Sequence, residues 1–109
     1  MAELDDTVRR RSLEAIRTLE QLGKVQAAYV FGSQVEGRAD RWSDIDIAAF
    51  MEGVESWDIV QRSRAMVFVQ NQVGYDIEVH LFSASSMENP LAGSFAAYVL
   101  KHGVPLQVG

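Results

Sequence analysis

Tyr29-Val30-Phe31-Gly32-Ser33-Gln34-Val35-Glu36-Gly37-Arg38-Ala39-Asp40-Arg41-Trp42-Ser43-Asp44-Ile45-Asp46-Ile47-Ala48-Ala49-Phe50 is the stretch from which the rest of the chain is organised. An apolar run ends at Gly32-Ser33, and a second apolar run begins with Asp44 and Asp46 set into its entrance. Side chains alternate across a strand, so Asp44 and Asp46 share one face while Ile45 and Ile47 point to the other. Carboxylates placed side by side repel unless a cation lies between them, and oxygen ligands of this kind suit Mg²⁺ completed by water or phosphate oxygens. Gly32 permits backbone conformations closed to other residues and the close approach of a ligand. Successive N–H groups in such a turn, above all one that opens a helix, attract an anion. Phosphate at one end and metal at the other describe a nucleotide site.

The limits set by size and composition agree with a small globular protein. A chain of 109 residues corresponds to one domain, here 1–109, and 48% hydrophobic residues suffice for a packed core. There is no Cys, so neither disulfides nor thiolate metal sites hold the fold, which suits a reducing cytoplasm. The beginning, Met1 to Asp6, is acidic and lacks the basic and apolar regions of a signal peptide. No apolar run approaches the ~20 residues needed to cross a bilayer. A formal net charge of −5 argues against sequence-independent binding to nucleic acid, which draws its affinity from Lys and Arg.

Periodicity places the remaining elements. Leu4, Val8, Ala15, Ile16, Leu19 and Leu22 recur near helical spacing and predict a helix from about Asp5 to Leu22, stopped by Gly23. Arg9-Arg10-Arg11 lies on it and, pointing in three directions, reads as a solvated face. Val25 to Phe31 predicts a strand covered on both faces, followed by one helical turn at Ser33. The second strand runs from about Ile45 to Phe50. A helix follows over Ser56 to Gln72, with Ser56 as its cap and Trp57, Val60, Met66 and Val67 facing inward. Tyr75 to Phe82 is an alternating strand with Tyr75, Ile77, Val79 and Leu81 on one face and Asp76, Glu78 and His80 on the other. The bland reading of the second face is a solvated one, and a lone His there reads as a strand-end hydrogen bonder. Asn89 as cap and Pro90 at the first helical position predict a last helix that ends before Gly103, and Val104 to Val108 suits an edge strand because Pro105 lacks an N–H. His102 in its last turn complements the helix dipole and is given no chemistry.

Gly32-Ser33, a gap of ten residues, Asp44, one residue and Asp46 together resemble the nucleotidyltransferase superfamily that includes DNA polymerase beta, most closely its minimal members. Those often carry a second Gly where Gly37 stands and a Ser where Ser43 stands, and the order of elements extends the similarity over nearly the whole chain. The resemblance implies an α/β (α+β) fold, a small mixed sheet with helices packed on one side. It implies transfer of a nucleoside monophosphate, AMP from ATP in the leading reading, to a hydroxyl acceptor. Asp44 and Asp46 would hold two Mg²⁺ ions, and a third carboxylate on the neighbouring strand, Glu78 or its competitor Asp76, would complete the site and accept the hydroxyl proton. Gly32 and Ser33 would bind phosphates, and Ser43 would fix the loop or orient Asp44. Minimal members commonly act with a HEPN-type toxin as antitoxin, so the resemblance implies such a protein, or a second copy of the chain, as partner; this part is analogy.

One departure matters. Related sequences carry basic residues after the Gly-Ser, whereas this chain has Gln34, Val35 and Glu36, which leaves Arg38 and Arg41 to supply positive charge. Two further readings therefore stand beside the antitoxin enzyme: a non-catalytic module that neutralises a partner by covering it, and a stand-alone transferase for a small hydroxyl acceptor.

Overall fold

The strand that carries Asp46, β2 (Ile45–Met51), has five consecutive buried residues and lies inside a four-stranded sheet. The computed structural model describes residues 4–37 and 43–108, so Arg38 and Arg41 fall outside the described residues. In chain order the elements are α1 (Asp6–Leu19), β1 (Val25–Phe31), α2 (Ser33–Glu36), β2, α3 (Ile59–Val73), β3 (Ile77–Ser83), α4 (Phe95–His102) and β4 (Val104–Leu106). The sheet order is β3-β2-β1-β4. β1 runs antiparallel to both β2 and β4, while β2 and β3 are parallel, and α3 makes the crossover that a parallel pair requires. Pro105 stands opposite Tyr29 on the outermost strand, where its missing N–H leaves no gap inside the sheet.

The mixed sheet with packed helices is as expected, but the helices occupy both faces rather than one. Ile45, Ile47, Ala49 and Met51 pack with Ala15, Ile16 and Leu19 of α1 and Ala65 and Val69 of α3. On the opposite face, Phe31, Ala48 and Phe50 pack with Ala96 and Val99 of α4. The reason is in β1 and β2 themselves, which are apolar on both faces and would expose two phenylalanines without α4. Among the described residues no helix is long and apolar enough to cross a membrane.

Element boundaries moved wherever a stronger local signal competed. Helix α1 ends at Leu19 and closes in short bonds from Gln21 N to Thr18 O and Leu22 N to Leu19 O, so Leu22 lies outside the helix and exposed. Helix α3 starts after Asp58 rather than Ser56, because Asp58 and Gln61 bond reciprocally as a capping box that Ser56 has no partner to form. Its inward residues are Ala65 and Val69, with Trp57, Met66 and Val73 against the core, whereas Val60 and Val67 are exposed. Helix α4 starts after Ser94, whose hydroxyl accepts from Ala97 N; Gly93, at φ +80°, interrupts the chain between Pro90 and that cap. Leu91 is accordingly outside the helix and 80% exposed.

Strand β3 also begins later than its alternation suggests. Ile77 N bonds back to Gly74 O, so Tyr75 and Asp76 lie in a turn, Tyr75 is exposed, and Asp76 is not pleated beside Glu78. The Asp76 carboxylate instead takes both ends of the Arg11 guanidinium, at 2.5 and 2.6 Å. One arginine of the triple is thus a tie between α1 and the α3–β3 turn, while Arg10 is exposed. The Arg11 hydrogen bonds hold the Asp76 carboxyl below its ordinary value near 3.8. A depressed carboxyl stabilises the fold fully above that ordinary value and loses the contribution as pH falls through the depressed one. With the two side chains 24% and 42% exposed, solvent screens the pair. Arg11→Ala is expected to cost about 0.5–1 kcal/mol in urea unfolding at neutral pH, and the difference from wild type should shrink as the titration moves below the ordinary carboxyl range.

Candidate functional site

Parallel pairing sets the site. In the β2–β3 register Asp46 stands opposite Glu78 and Ala48 opposite His80, so alternation turns Asp46, Glu78 and His80 to one face, the side that α4 partly covers. One ligand atom from each of the three lies within 4.8 Å of the others. His80 Nε2 faces Asp46 Oδ1 at 3.6 Å and is buried without a hydrogen-bond partner. Its ring is held edge-on against Phe31, the residue opposite Asp46 on the other neighbouring strand.

The electrostatics of this trio are those of a crowded anion pair. Burial is the largest cause that pushes the Asp46 carboxyl above its ordinary value; the hydrogen bond and charge of Glu78 push the same way, and His80 offsets part of it. In the absence of a cation, burial and the neighbouring Glu78 therefore favour the protonated form of Asp46. Two carboxylates and a buried imidazole nitrogen without a hydrogen-bond partner, with a ligand atom of each within 4.8 Å of the others, are a donor set that fits a divalent cation, with the carboxylates as its hard oxygen ligands.

The glycine turn packs directly on these acids. Gly32 has φ +78°, a conformation that requires glycine, and a Cβ placed on it would stand 2.8 Å from Asp46 Oδ2, so any side chain there would displace that carboxylate. Helix α2 is a single turn in which Val35 N and Glu36 N both bond to Gly32 O. The N–H groups of Ser33 and Gln34, which open it, have no acceptor within the turn. The Gln34 side-chain amide reaches Ser43 O and Asp44 O at 3.4 Å and ties the turn to the start of β2. Glu36, the acid that stands in the turn where related sequences carry basic residues, has its Oε2 hydrogen-bonded by the Tyr98 hydroxyl of α4 at 2.9 Å.

The expected site residues thus divide. Gly32, Asp46 and Glu78 come together, with Ser33 next to Gly32 at the start of α2. Ser43 is half-buried at the mouth, and Asp44 is exposed one residue before β2, outside the trio. Asp76 is turned away and paired with Arg11. His80 enters the trio although its sequence position read as a strand-end hydrogen bonder. The available signal was its alternation with Glu78, which needed the interstrand register to become a site.

A four-stranded mixed sheet thus gathers acids on neighbouring strands beside a glycine turn. Residues 14–106 match the family described as Polymerase beta, Nucleotidyltransferase. The chain therefore belongs to the polymerase beta nucleotidyltransferase family. Its fold is similar to the crystal structure of a protein from Sulfolobus solfataricus provisionally described as a nucleotidyltransferase, with a TM-score of 0.59 and 18% identity over 75% of this chain and 72% of that one. No curated protein matches the chain. Enzymes of this kind generally take a nucleoside triphosphate with Mg²⁺, and the trio of Asp46, Glu78 and His80 is where this chain would hold the cation.

Two substitutions separate the roles at this junction. Gly32→Ala should cost about 1–3 kcal/mol in thermal or urea unfolding through strain at positive φ, and it should weaken Mg²⁺ binding by displacing the Asp46 carboxylate. Asp46→Asn should instead stabilise the cation-free protein by about 0.2–1 kcal/mol, since it removes a like-charge cross-strand pair. The sign follows from the raised carboxyl: wild-type stability is present below the ordinary value and is lost as pH rises through the raised one, and calorimetric melts of Asp46→Asn across that range should lack this decline.

Proposed function

We propose that this protein transfers AMP from ATP to a hydroxyl of a partner protein, in the manner of an antitoxin that modifies a HEPN-type toxin. The observation that carries the transfer reading is the Asp46–Glu78 pair set directly beneath Gly32, so that metal ligands and phosphate donors meet at one point. In the reaction the acceptor oxygen bonds to the α-phosphorus, the bond to the β-phosphate oxygen breaks, and pyrophosphate leaves. Glu78, the exposed member of the carboxylate pair, accepts the proton of the attacking hydroxyl. Asp46 anchors the site from inside the sheet, and the exposed Asp44 would supply the outer carboxylate if a second ion is bound. Divalent cations held there would neutralise the charge that builds on the phosphoryl oxygens. Ser33 and the opening N–H groups of α2 orient the terminal phosphates, as expected for chemistry that works by positioning and charge.

A protein acceptor is supported by the outer face of α3, where Ile59, Val60 and Val67 leave an apolar surface in solvent. Surfaces of this kind are commonly covered by other proteins. The non-catalytic reading keeps one observation in its favour, the exposed Asp44 outside the trio.

Incubation with labelled ATP, Mg²⁺ and the co-purified partner, followed by location of the adenylate by mass, tests the proposal. Asp46→Asn and Glu78→Gln should each lower transfer by 10²-fold or more, the scale of a lost electrostatic contributor. Asp76→Asn should retain it, because its carboxylate serves Arg11. If the doubly substituted Asp44→Asn, Asp46→Asn protein still neutralises the toxin while transferring nothing, the protein is a binding module.

A further inference from the structure

Aromatic side chains that the transfer chemistry leaves unused run outward from the carboxylates. The His80 ring meets Phe95 edge-on at 5.6 Å, Phe95 lies near-parallel to Tyr98 at 6.5 Å, and Tyr98 contacts the His102 ring at 4.8 Å. Positions 95, 98 and 102 follow helical spacing, so α4 presents these rings as one ladder. Phe95 is nevertheless 46% exposed and Tyr98 40%. Leaving that much ring surface in water beside a polar site forgoes burial that aromatic residues ordinarily gain. The ladder is also held at two points, to the trio through His80 and to the glycine turn through the Tyr98–Glu36 hydrogen bond.

We infer that Phe95 and Tyr98 form the platform on which the purine base of the nucleoside triphosphate stacks; the inference rests on the transfer reading above. A donor anchored by its phosphates at the turn and by its α-phosphorus at the carboxylates keeps its base tethered beside both, and the ladder is the aromatic surface that touches both. An aromatic acceptor fits less well. In-line displacement brings the acceptor from the side opposite the leaving pyrophosphate, whereas Tyr98 is tied to the turn that would receive that pyrophosphate. Stacking on rings tolerates any base and favours the larger one, since every base has a π-face and purines cover more of the platform. The platform thus selects purine over pyrimidine and distinguishes adenine from guanine weakly.

Equilibrium binding of ATP, GTP, CTP, UTP and inorganic tripolyphosphate to the full chain with Mg²⁺ tests this. ATP and GTP should bind alike and several-fold more tightly than the pyrimidine nucleotides. Phe95→Leu against wild type, and Tyr98→Leu against Tyr98→Phe, which equally lacks the hydroxyl that holds Glu36, should each lose roughly ten-fold in ATP affinity, the scale of one base–aromatic stack, with tripolyphosphate binding unmoved within each comparison. Tyr98→Phe, which keeps the ring, should recover the loss seen with Leu; because Phe95 also packs on Phe31 and Phe82, the Tyr98 pair decides if Phe95→Leu does not fold. Equal losses for ATP and tripolyphosphate, unchanged ATP affinity, UTP bound as tightly as ATP, or an effect confined to acceptor KM would overturn the platform. Those results leave transfer intact as a reading. Ladder-dependent purine binding in a protein that transfers nothing would instead overturn transfer and keep the platform, and a wild type that binds no nucleotide would overturn both.

Discussion

Two carboxylates, Asp46 and Glu78, stand opposite each other on neighbouring parallel strands, and much of the molecule serves to keep them there. Like charges so placed oppose folding, since burial and mutual repulsion already push the Asp46 carboxyl above its ordinary value. The surrounding apolar contacts offset this. Asp46 is flanked by Ile45 and Ile47, which are buried against the helical layer of α1 and α3, so a slip of one residue in register would place the acid in the core. The same constraint that destabilises the cation-free protein thus makes its geometry single-valued.

Helix α4 has two duties that are physically linked. Its Ala96 and Val99 cover Phe31, Ala48 and Phe50, completing the second face of the sheet. Its ring-bearing side reaches the functional end, where Phe95 packs on His80 and Tyr98 holds Glu36. The acid that departs from the basic turn of related sequences is therefore engaged by a neighbour from the far end of the chain. On the other layer, Arg11 draws Asp76 into an ion pair and leaves Glu78 as the carboxylate beside Asp46. Two acids close in sequence have different work because one precedes the first pleat of β3 and the other lies within it.

Much of this was legible in the residues. The apolar runs of β1 and β2, the glycine break between them and the alternation of β3 are local patterns, and local patterns report the strands they belong to. The family-defining spacing of Gly32-Ser33, Asp44 and Asp46 is likewise carried in the chain order. Boundaries were less legible because weak signals compete: Ser56 and Asn89 are acceptable caps, but Asp58 with Gln61 and Ser94 after Gly93 make the bonds. The fate of Asp76 could not be read locally, since its partner lies 65 positions earlier in the chain.

What the sequence by itself determined is the set of elements, the glycine turn and the shared face of Glu78 and His80 on β3, because these follow from period and backbone freedom within short segments. The tertiary structure decided which acids meet, that His80 joins them, that Asp44 stays outside, and that helices cover both faces of the sheet. The reason is that interstrand register and helix docking are long-range choices. They are settled by apolar surface and ion pairs contributed from distant positions, and no window of neighbouring residues contains both sides of the contact.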